Sequence, residues 1–83
     1  MRIIMGILIG HREEEALKVQ ELLTRYGCYI KTRLGLHDTP GEGSCSSKGL
    51  LILEFLPGNE KEVDALEIEL KKLESFVVKR MEF

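Results

Sequence analysis

Four segments of the chain are rich in apolar residues, and the spacing of their apolar positions predicts strands. Residues 2–9, RIIMGILI, and residues 49–56, GLLILEFL, are almost continuously apolar, which is typical of strands buried on both faces. Residues 28–37, CYIKTRLGLH, alternate with period two, and residues 76–83 mix apolar and charged positions. These last two patterns predict strands at the edges of a sheet.

Two segments between these strands have the periodicity of amphipathic helices. Residues 11–27 carry acidic side chains at Glu13–Glu15, where a helix dipole favours negative charge. Residues 59–72 begin with Asn59 and carry Glu62 three positions later, which resembles a capping box. The apolar positions that define the two helix faces are Ala16, Val19, Leu22, Leu23 and Tyr26 in the first segment and Val63, Leu66, Leu70 and Leu73 in the second.

The predicted order is therefore βαββαβ, an α+β arrangement in one domain spanning residues 1–83. Two central and two edge strands fit an antiparallel sheet of order 4-1-3-2 with both helices on one face, the ferredoxin-like, ACT-like sandwich. The other face would then be a large uncovered apolar patch. We expect a second copy to cover it, or two copies to pair edge to edge, giving a homodimer or a homotetramer.

Composition narrows the class of partner. A net charge of −2 gives no basic excess for contacts with phosphate, so we expect no direct binding of nucleic acid. The longest apolar run is shorter than the roughly 20 residues that span a bilayer, and glycines interrupt the first segment, so we expect neither membrane insertion nor a signal peptide. Two cysteines do not form a disulfide scaffold, which favours a reducing, cytoplasmic setting.

The candidate chemistry lies at one end of the predicted sheet. The strand order places Gly10 and His11 beside His37 and Cys45, where the stretch 37–49, HDTPGEGSCSSKG, is longer than the usual two to five residues of a hairpin loop. These four residues form a candidate small-ligand site. Two imidazoles and a thiolate also suit zinc, nickel or copper, with a fourth ligand from Asp38, a partner chain or water.

Simpler interpretations of the same residues stay open. His11 fits a solvated turn, His37 fits a strand end, and Cys45 fits an ordinary loop thiol among small polar residues. Cys28 begins the second strand, roughly 26 Å from the other end of the sheet, so it can join neither a metal site there nor an intrachain disulfide. The glycines and lysine of GEGSCSSKG are not followed by the helix that a phosphate-binding loop requires.

Other catalytic constellations are absent from the sequence, and we expect no enzymatic activity. Glu54 lies within a central strand and needs a partner, for which Lys31 or Arg33 on the neighbouring strand is the candidate in an interface ion pair. A contact between Glu54 and a ligand is the alternative.

The stretch ALKVQELLTRYGCYIKTRLGL resembles the family of regulators of the iron-only hydrogenase system. In that family a helix that ends in an ELL..YG type segment leads into a strand with an arginine followed by a glycine. In this chain the helix end is Glu21-Leu22-Leu23 and Tyr26-Gly27, and the strand residues are Arg33-Leu34-Gly35. The resemblance spans nearly the whole chain and implies a regulatory role.

Two wider relatives share the fold that this resemblance implies. The helix pattern is similar to that of ACT domains, which dimerise and bind amino acids, although GHREEE stands here where they carry an Asp-x-x-Gly turn. The C-terminal domain of the nickel-responsive regulator has ligands at positions similar to His37 and Cys45. Gly35 replaces a second strand histidine of that family and its helix histidine has no counterpart, so the implied nickel site is incomplete. The DNA-binding segment of that family is absent as well.

The sequence thus predicts a homo-oligomeric regulatory module that senses a small ligand or a metal ion and is linked to the iron-only hydrogenase system. A protein-interaction domain without a ligand, engaging a hydrogenase maturation factor for example, is the alternative. An enzyme with Cys45 as nucleophile is a third class.

Overall fold

The computed structural model describes residues 1–37 and 49–83, and their backbone follows the predicted order of elements. A short 3₁₀ helix, Gly27–Tyr29, connects the first helix to the second strand. The strands are β1 (Ile3–Leu8), β2 (Ile30–His37), β3 (Gly49–Phe55) and β4 (Val77–Glu82), and the helices are α1 (Glu13–Arg25) and α2 (Glu60–Lys71).

The four strands form one antiparallel sheet in the order β2-β3-β1-β4, which confirms the predicted ferredoxin-like topology. Both β1 and β2 run antiparallel to β3, so they are parallel to each other and finish at the same end of the sheet. Ile7 lies opposite Leu51 on β3 and opposite Val78 on β4, which places β1 in the middle of the sheet.

The hydrophobic core lies between one face of the sheet and the two helices. Along β1 and β3 every second residue points into it, and Met5, Ile7 and Leu53 are completely buried. Burial of this apolar surface is the main favourable contribution to folding. The helices supply the facing side chains, which are Val19, Leu22 and Leu23 from α1 and Val63, Leu66 and Leu70 from α2.

The start of α2 differs from the sequence prediction. Asn59 precedes the helix, but its side-chain amide donates backwards to the carbonyl oxygens of Leu56 at 3.1 Å and Pro57 at 3.3 Å. The capping box with Glu62 is therefore not formed. The amide closes the preceding turn instead, in which Gly58 has a φ of 86°, the left-handed region that favours glycine.

A shift of register in β2 changes which face of the sheet its side chains occupy. The shift lies between Ile30 and Thr32, and Ile30 pairs with Phe55 and packs against the core. Beyond the shift, Leu34 and Leu36 lie on the opposite face, where they are about half exposed. The strict alternation expected over residues 28–37 is interrupted because a bulge adds a residue to one strand of the pair.

The second face of the sheet, which is turned away from the helices, carries mostly apolar residues. Its residues form three rows across the sheet, and we call these residues the open face. The rows are Leu36, Leu50, Leu8 and Val77; Leu34, Ile52, Gly6 and Lys79; and Thr32, Glu54, Ile4 and Met81. Within the part of the chain described, the uncovered apolar patch predicted from the sequence is present.

Candidate functional site

The backbone brings three of the predicted site segments together at one end of the sheet. The amide of Ile9, directly before Gly10 and His11, donates to the carbonyl oxygen of Gly49 at 2.8 Å. On the other side of Gly49, β2 ends with His37 in register. Residues 9–11, 37 and 49 thus lie side by side, as the strand order predicted.

Gly10 is the residue whose position in this cluster is most closely constrained. A Cβ atom at this position would lie 2.6 Å from the carbonyl carbon of Ser75 and closer still to the carbonyl oxygen and hydroxyl of that residue. Real side chains do not approach backbone this closely, so only glycine fits. The turn between β1 and α1 is packed directly against the turn that precedes β4.

The other predicted site residues have different positions. His11 is exposed in the turn before α1, where its imidazole is accessible to a ligand. His37 is the last residue of β2. Cys45 and the candidate fourth ligand Asp38 lie outside the described residues. Cys28 is an exposed free thiol in the 3₁₀ helix before β2, at the other end of that strand from His37.

Glu15 has a structural role that the sequence did not reveal. Its carboxylate accepts hydrogen bonds from the amides of Glu74 at 2.9 Å and Ser75 at 3.0 Å, and from the hydroxyl of Ser75. These hydrogen bonds, that of the Ser75 hydroxyl foremost, lower the pKa of Glu15. Arg12 adds a hydrogen bond to the Glu74 carboxylate at 2.9 Å. Glu15 therefore fixes the start of α1 to the turn before β4.

The opposite end of the sheet holds a small charged cavity. Arg2 donates to one carboxylate oxygen of Glu54, with Nε at 2.9 Å and Nη2 at 2.8 Å. The prediction that Lys31 or Arg33 pairs with Glu54 was wrong. The partner of Glu54 is Arg2, directly before β1, and Arg33 donates instead to Gln20 on α1 at 3.1 Å. The cavity has a volume of about 330 Å³ and is lined by Met1, Arg2, Lys31, Glu54, Phe55 and Pro57.

A second charged cluster joins α2 to β4. Arg80 donates to Asp64 at 2.6 Å and to Glu67 at 2.9 Å, and it forms an ion pair with Glu82 at 2.7 Å. The hydrogen bond from Arg80 to Asp64 raises the pKa of the guanidinium. The pKa of Glu67 is lowered despite its partial burial, because Lys71 and Arg80 both donate to it. The cluster orients α2 on the sheet.

Residues 1–37 and 49–83 contain no group of three or more histidine, cysteine, aspartate or glutamate residues placed to hold a metal ion. No helix in these ranges has the length and apolar character needed to cross a membrane. The metal prediction for His11, His37 and Cys45 stays a prediction, because Cys45 lies in the segment that is not described.

The topology and the arrangement of layers define a ferredoxin-like domain. No protein-family model matches the sequence, and no curated protein matches it. The structure is similar to that of the uncharacterized protein TM1266 from Thermotoga maritima, with a TM-score of 0.77 and 24% identity over 96% of this chain and 92% of that chain.

Two further solved structures share the fold. The first is prephenate dehydratase from Streptococcus mutans, with a TM-score of 0.61 and 16% identity over 95% of this chain and 40% of that chain. The second is CPII from Thiomonas intermedia K12 bound to ADP, AMP and acetate, with a TM-score of 0.54 and 22% identity over 95% of this chain and 81% of that chain. At these identities the similarity establishes the fold.

Proposed function

We propose that this protein is a cytoplasmic regulatory module that binds a small ligand or a metal ion and acts through homo-oligomerisation. The observation that carries the proposal is the alignment of Ile9, Gly49 and His37 across three neighbouring strands, which gathers Gly10, His11 and His37 at one end of the sheet. Ligands commonly bind where several chain segments converge on a rigid scaffold. The link to the iron-only hydrogenase system rests on the sequence resemblance.

The chemistry available at this end of the sheet favours a small polar ligand or a borderline metal ion. His11 is exposed, and a neutral imidazole is a good ligand for zinc, nickel or copper. Glu15 lies in the first turn of α1, but its carboxylate already accepts hydrogen bonds from Ser75 and Glu74. The proposal therefore assigns the binding to His11, His37 and the backbone at Gly10, with Cys45 included on the sequence alone.

A melting screen tests this proposal directly. Tag-free protein is heated with nickel, zinc or copper ions, with amino acids and with adenine nucleotides, because a compound that binds only the folded state raises the melting midpoint. We expect at least one compound to raise it, and the variants His11→Ala, His37→Ala and Cys45→Ala to reduce that shift. Cys28→Ala is the matched control, since Cys28 is an exposed thiol at the other end of β2.

Two results would count against the sensor function. If no metal or metabolite moves the midpoint, the module does not bind the classes of ligand proposed. If a shift occurs but is the same in all three site variants, the ligand binds elsewhere, and the charged cavity at Arg2 and Lys31 becomes the first place to examine.

A protein-interaction domain without a small ligand is the second candidate, and the uncovered open face favours it, because large apolar patches mark interaction surfaces. The proposal includes no nucleic-acid or membrane partner and no catalysis. An enzyme with Cys45 as nucleophile requires a thiol of lowered pKa, so a Cys45 that reacts with alkylating reagents like a free model thiol would exclude that third class.

A further inference from the structure

We propose that a second copy of this chain packs face to face against the open face. The inference rests on the homo-oligomerisation in the proposed function and names the surface that mediates it. Five large apolar side chains on this face, Leu36, Val77, Leu8, Leu34 and Met81, are between 45% and 54% exposed. Such a concentration on one surface of an 83-residue chain is unusual for a monomer.

The size of the open face corresponds to a weak, reversible dimer. Four strands about 4.8 Å apart and three rows of side chains about 6.8 Å apart cover roughly 400 Å² on each copy, measured as flat area. Two faces give about 800 Å² as flat area, which is below the roughly 1,200 Å² at which stable specific interfaces begin and in the range of weak, transient ones. We therefore expect an association that depends on protein concentration, as a module regulated through assembly requires.

The distribution of charge on the open face also favours a copy of the same chain. Only Glu54 and Lys79 are charged among its residues. Glu54 is already paired with Arg2, and Lys79 lies on the edge strand β4, from which a long side chain can extend into water. A self-complementary contact thus buries an apolar centre with its charges neutralised or at the rim.

The part of the chain that is not described cannot supply a comparable apolar cover. Residues 38–48 read DTPGEGSCSSK, which contains no leucine, isoleucine, valine, methionine or aromatic residue. A segment of this composition has little apolar area to exchange for that of the open face. Residues 38–48 therefore do not match the open face in apolar character, whereas a second copy carries an apolar surface of matching size.

Contact through the face explains the exposed residues better than contact through an edge. Pairing of β2 with β2 of another copy would extend the sheet and leave the exposed leucines of the open face uncovered. The edge strand β2 also carries Lys31 and Arg33, and charged residues on a free edge are a common device against strand pairing between molecules.

The test measures molar mass by light scattering during size-exclusion chromatography over a range of protein concentrations. The face variant is Leu34→Lys combined with Val77→Lys. The matched controls are Leu17→Lys on α1 and Ile68→Lys on α2, because these residues are 67% and 60% exposed but belong to the helices. Circular dichroism checks that each variant is folded, and Leu34→Thr, which keeps a good strand former, replaces any face variant that is not.

We expect the wild type and both controls to associate, and the face variant to fall to a smaller species, with a dissociation constant raised about tenfold or more. Leu34→Thr should give a smaller change in the same direction. A face variant that keeps the wild-type mass overturns the inference and assigns association to another surface, while the proposed function stands.

A wild type that is monomeric at all concentrations overturns both the inference and the homo-oligomerisation in the proposed function. The ligand arm of that function is then judged by the melting screen alone. Because that screen uses variants at the end of the sheet rather than on its open face, the two failures are distinguishable.

Discussion

Replacing Gly10 with alanine is the sharpest test of how the site end of the sheet is built. The added Cβ would lie 2.6 Å from the carbonyl carbon of Ser75, whereas ordinary van der Waals contact begins near 3.4 Å. The two turns must separate by about 0.8 Å at the carbonyl carbon and by more at the carbonyl oxygen, and backbone atoms cannot rotate away as a side chain can. Overpacking a closely packed position typically costs about 1–3 kcal/mol. We expect the upper half of that range, because the separation also stretches the hydrogen bonds between Glu15 and Ser75.

Urea unfolding followed by circular dichroism measures this loss. For a domain of this size, about 2 kcal/mol lowers the melting temperature by roughly 8–16 °C. Gly35→Ala is the control, since nothing lies within 4 Å of the Cβ it would add, and alanine costs less entropy than glycine on folding. A second variant, Gly10→Ala with Ser75→Ala, should recover little stability, because the carbonyl group of residue 75 still obstructs the new methyl group.

Two results would refute this reasoning. If Gly10→Ala is as stable as Gly35→Ala, the contact between the two turns is not tight. If Ser75→Ala fully restores Gly10→Ala, the hydroxyl alone caused the conflict and the backbone has room.

Three further changes test the other interactions. Glu15→Gln should reduce stability at neutral pH, because hydrogen bonds from the Ser75 hydroxyl and from backbone amides lower the pKa of Glu15 below its usual 4.5. That contribution is complete above the usual pKa and is lost as the pH falls through the lowered one, so a difference in urea midpoint that does not shrink in acid would contradict it. Leu53→Ala, at a completely buried position, should lower the free energy of unfolding by about 2–5 kcal/mol, and a loss below about 1 kcal/mol would mean that the core collapses around the gap. Arg80→Met should cost about 1–3 kcal/mol at neutral pH, because Asp64 and Glu67 lose their shared cation. The Arg80→Met loss should diminish in acid, and an unchanged melting temperature would show that the cluster is dispensable.

The order and pairing of the strands could be predicted from the sequence because apolar patterning fixes them. Continuous apolar runs identified β1 and β3 as central, and alternation identified β2 as an edge strand. The side-chain directions in β2 could not be predicted, since nothing in the apolar alternation marks the register shift between Ile30 and Thr32. The position of Leu34 on the open face is a consequence of that shift.

Only part of the candidate functional site could be predicted from the sequence. Topology placed Gly10, His11 and His37 together, because strand ends follow from strand order. The partner of Glu54 and the role of Glu15 could not be obtained in this way. Arg2 is 52 residues from Glu54, and Ser75 is 60 residues from Glu15, so each pair becomes visible only when the register and the turn geometry are known.

The pairing between the two terminal strands has a consequence for how the chain folds during synthesis. The amide of Phe83 donates to the carbonyl of Arg2 at 2.8 Å, and the amide of Arg2 donates to the carbonyl of Phe83 at 3.1 Å. The central strand β1 is therefore the first strand of this sheet to be synthesised, but its second neighbour, β4, is the last. Contacts of such long sequence separation slow folding, and a chain arrested before β4 presents a bare apolar strand to other nascent chains. We expect the pairing of β4 with β1, rather than formation of the helices, to limit the rate at which the native sheet is completed.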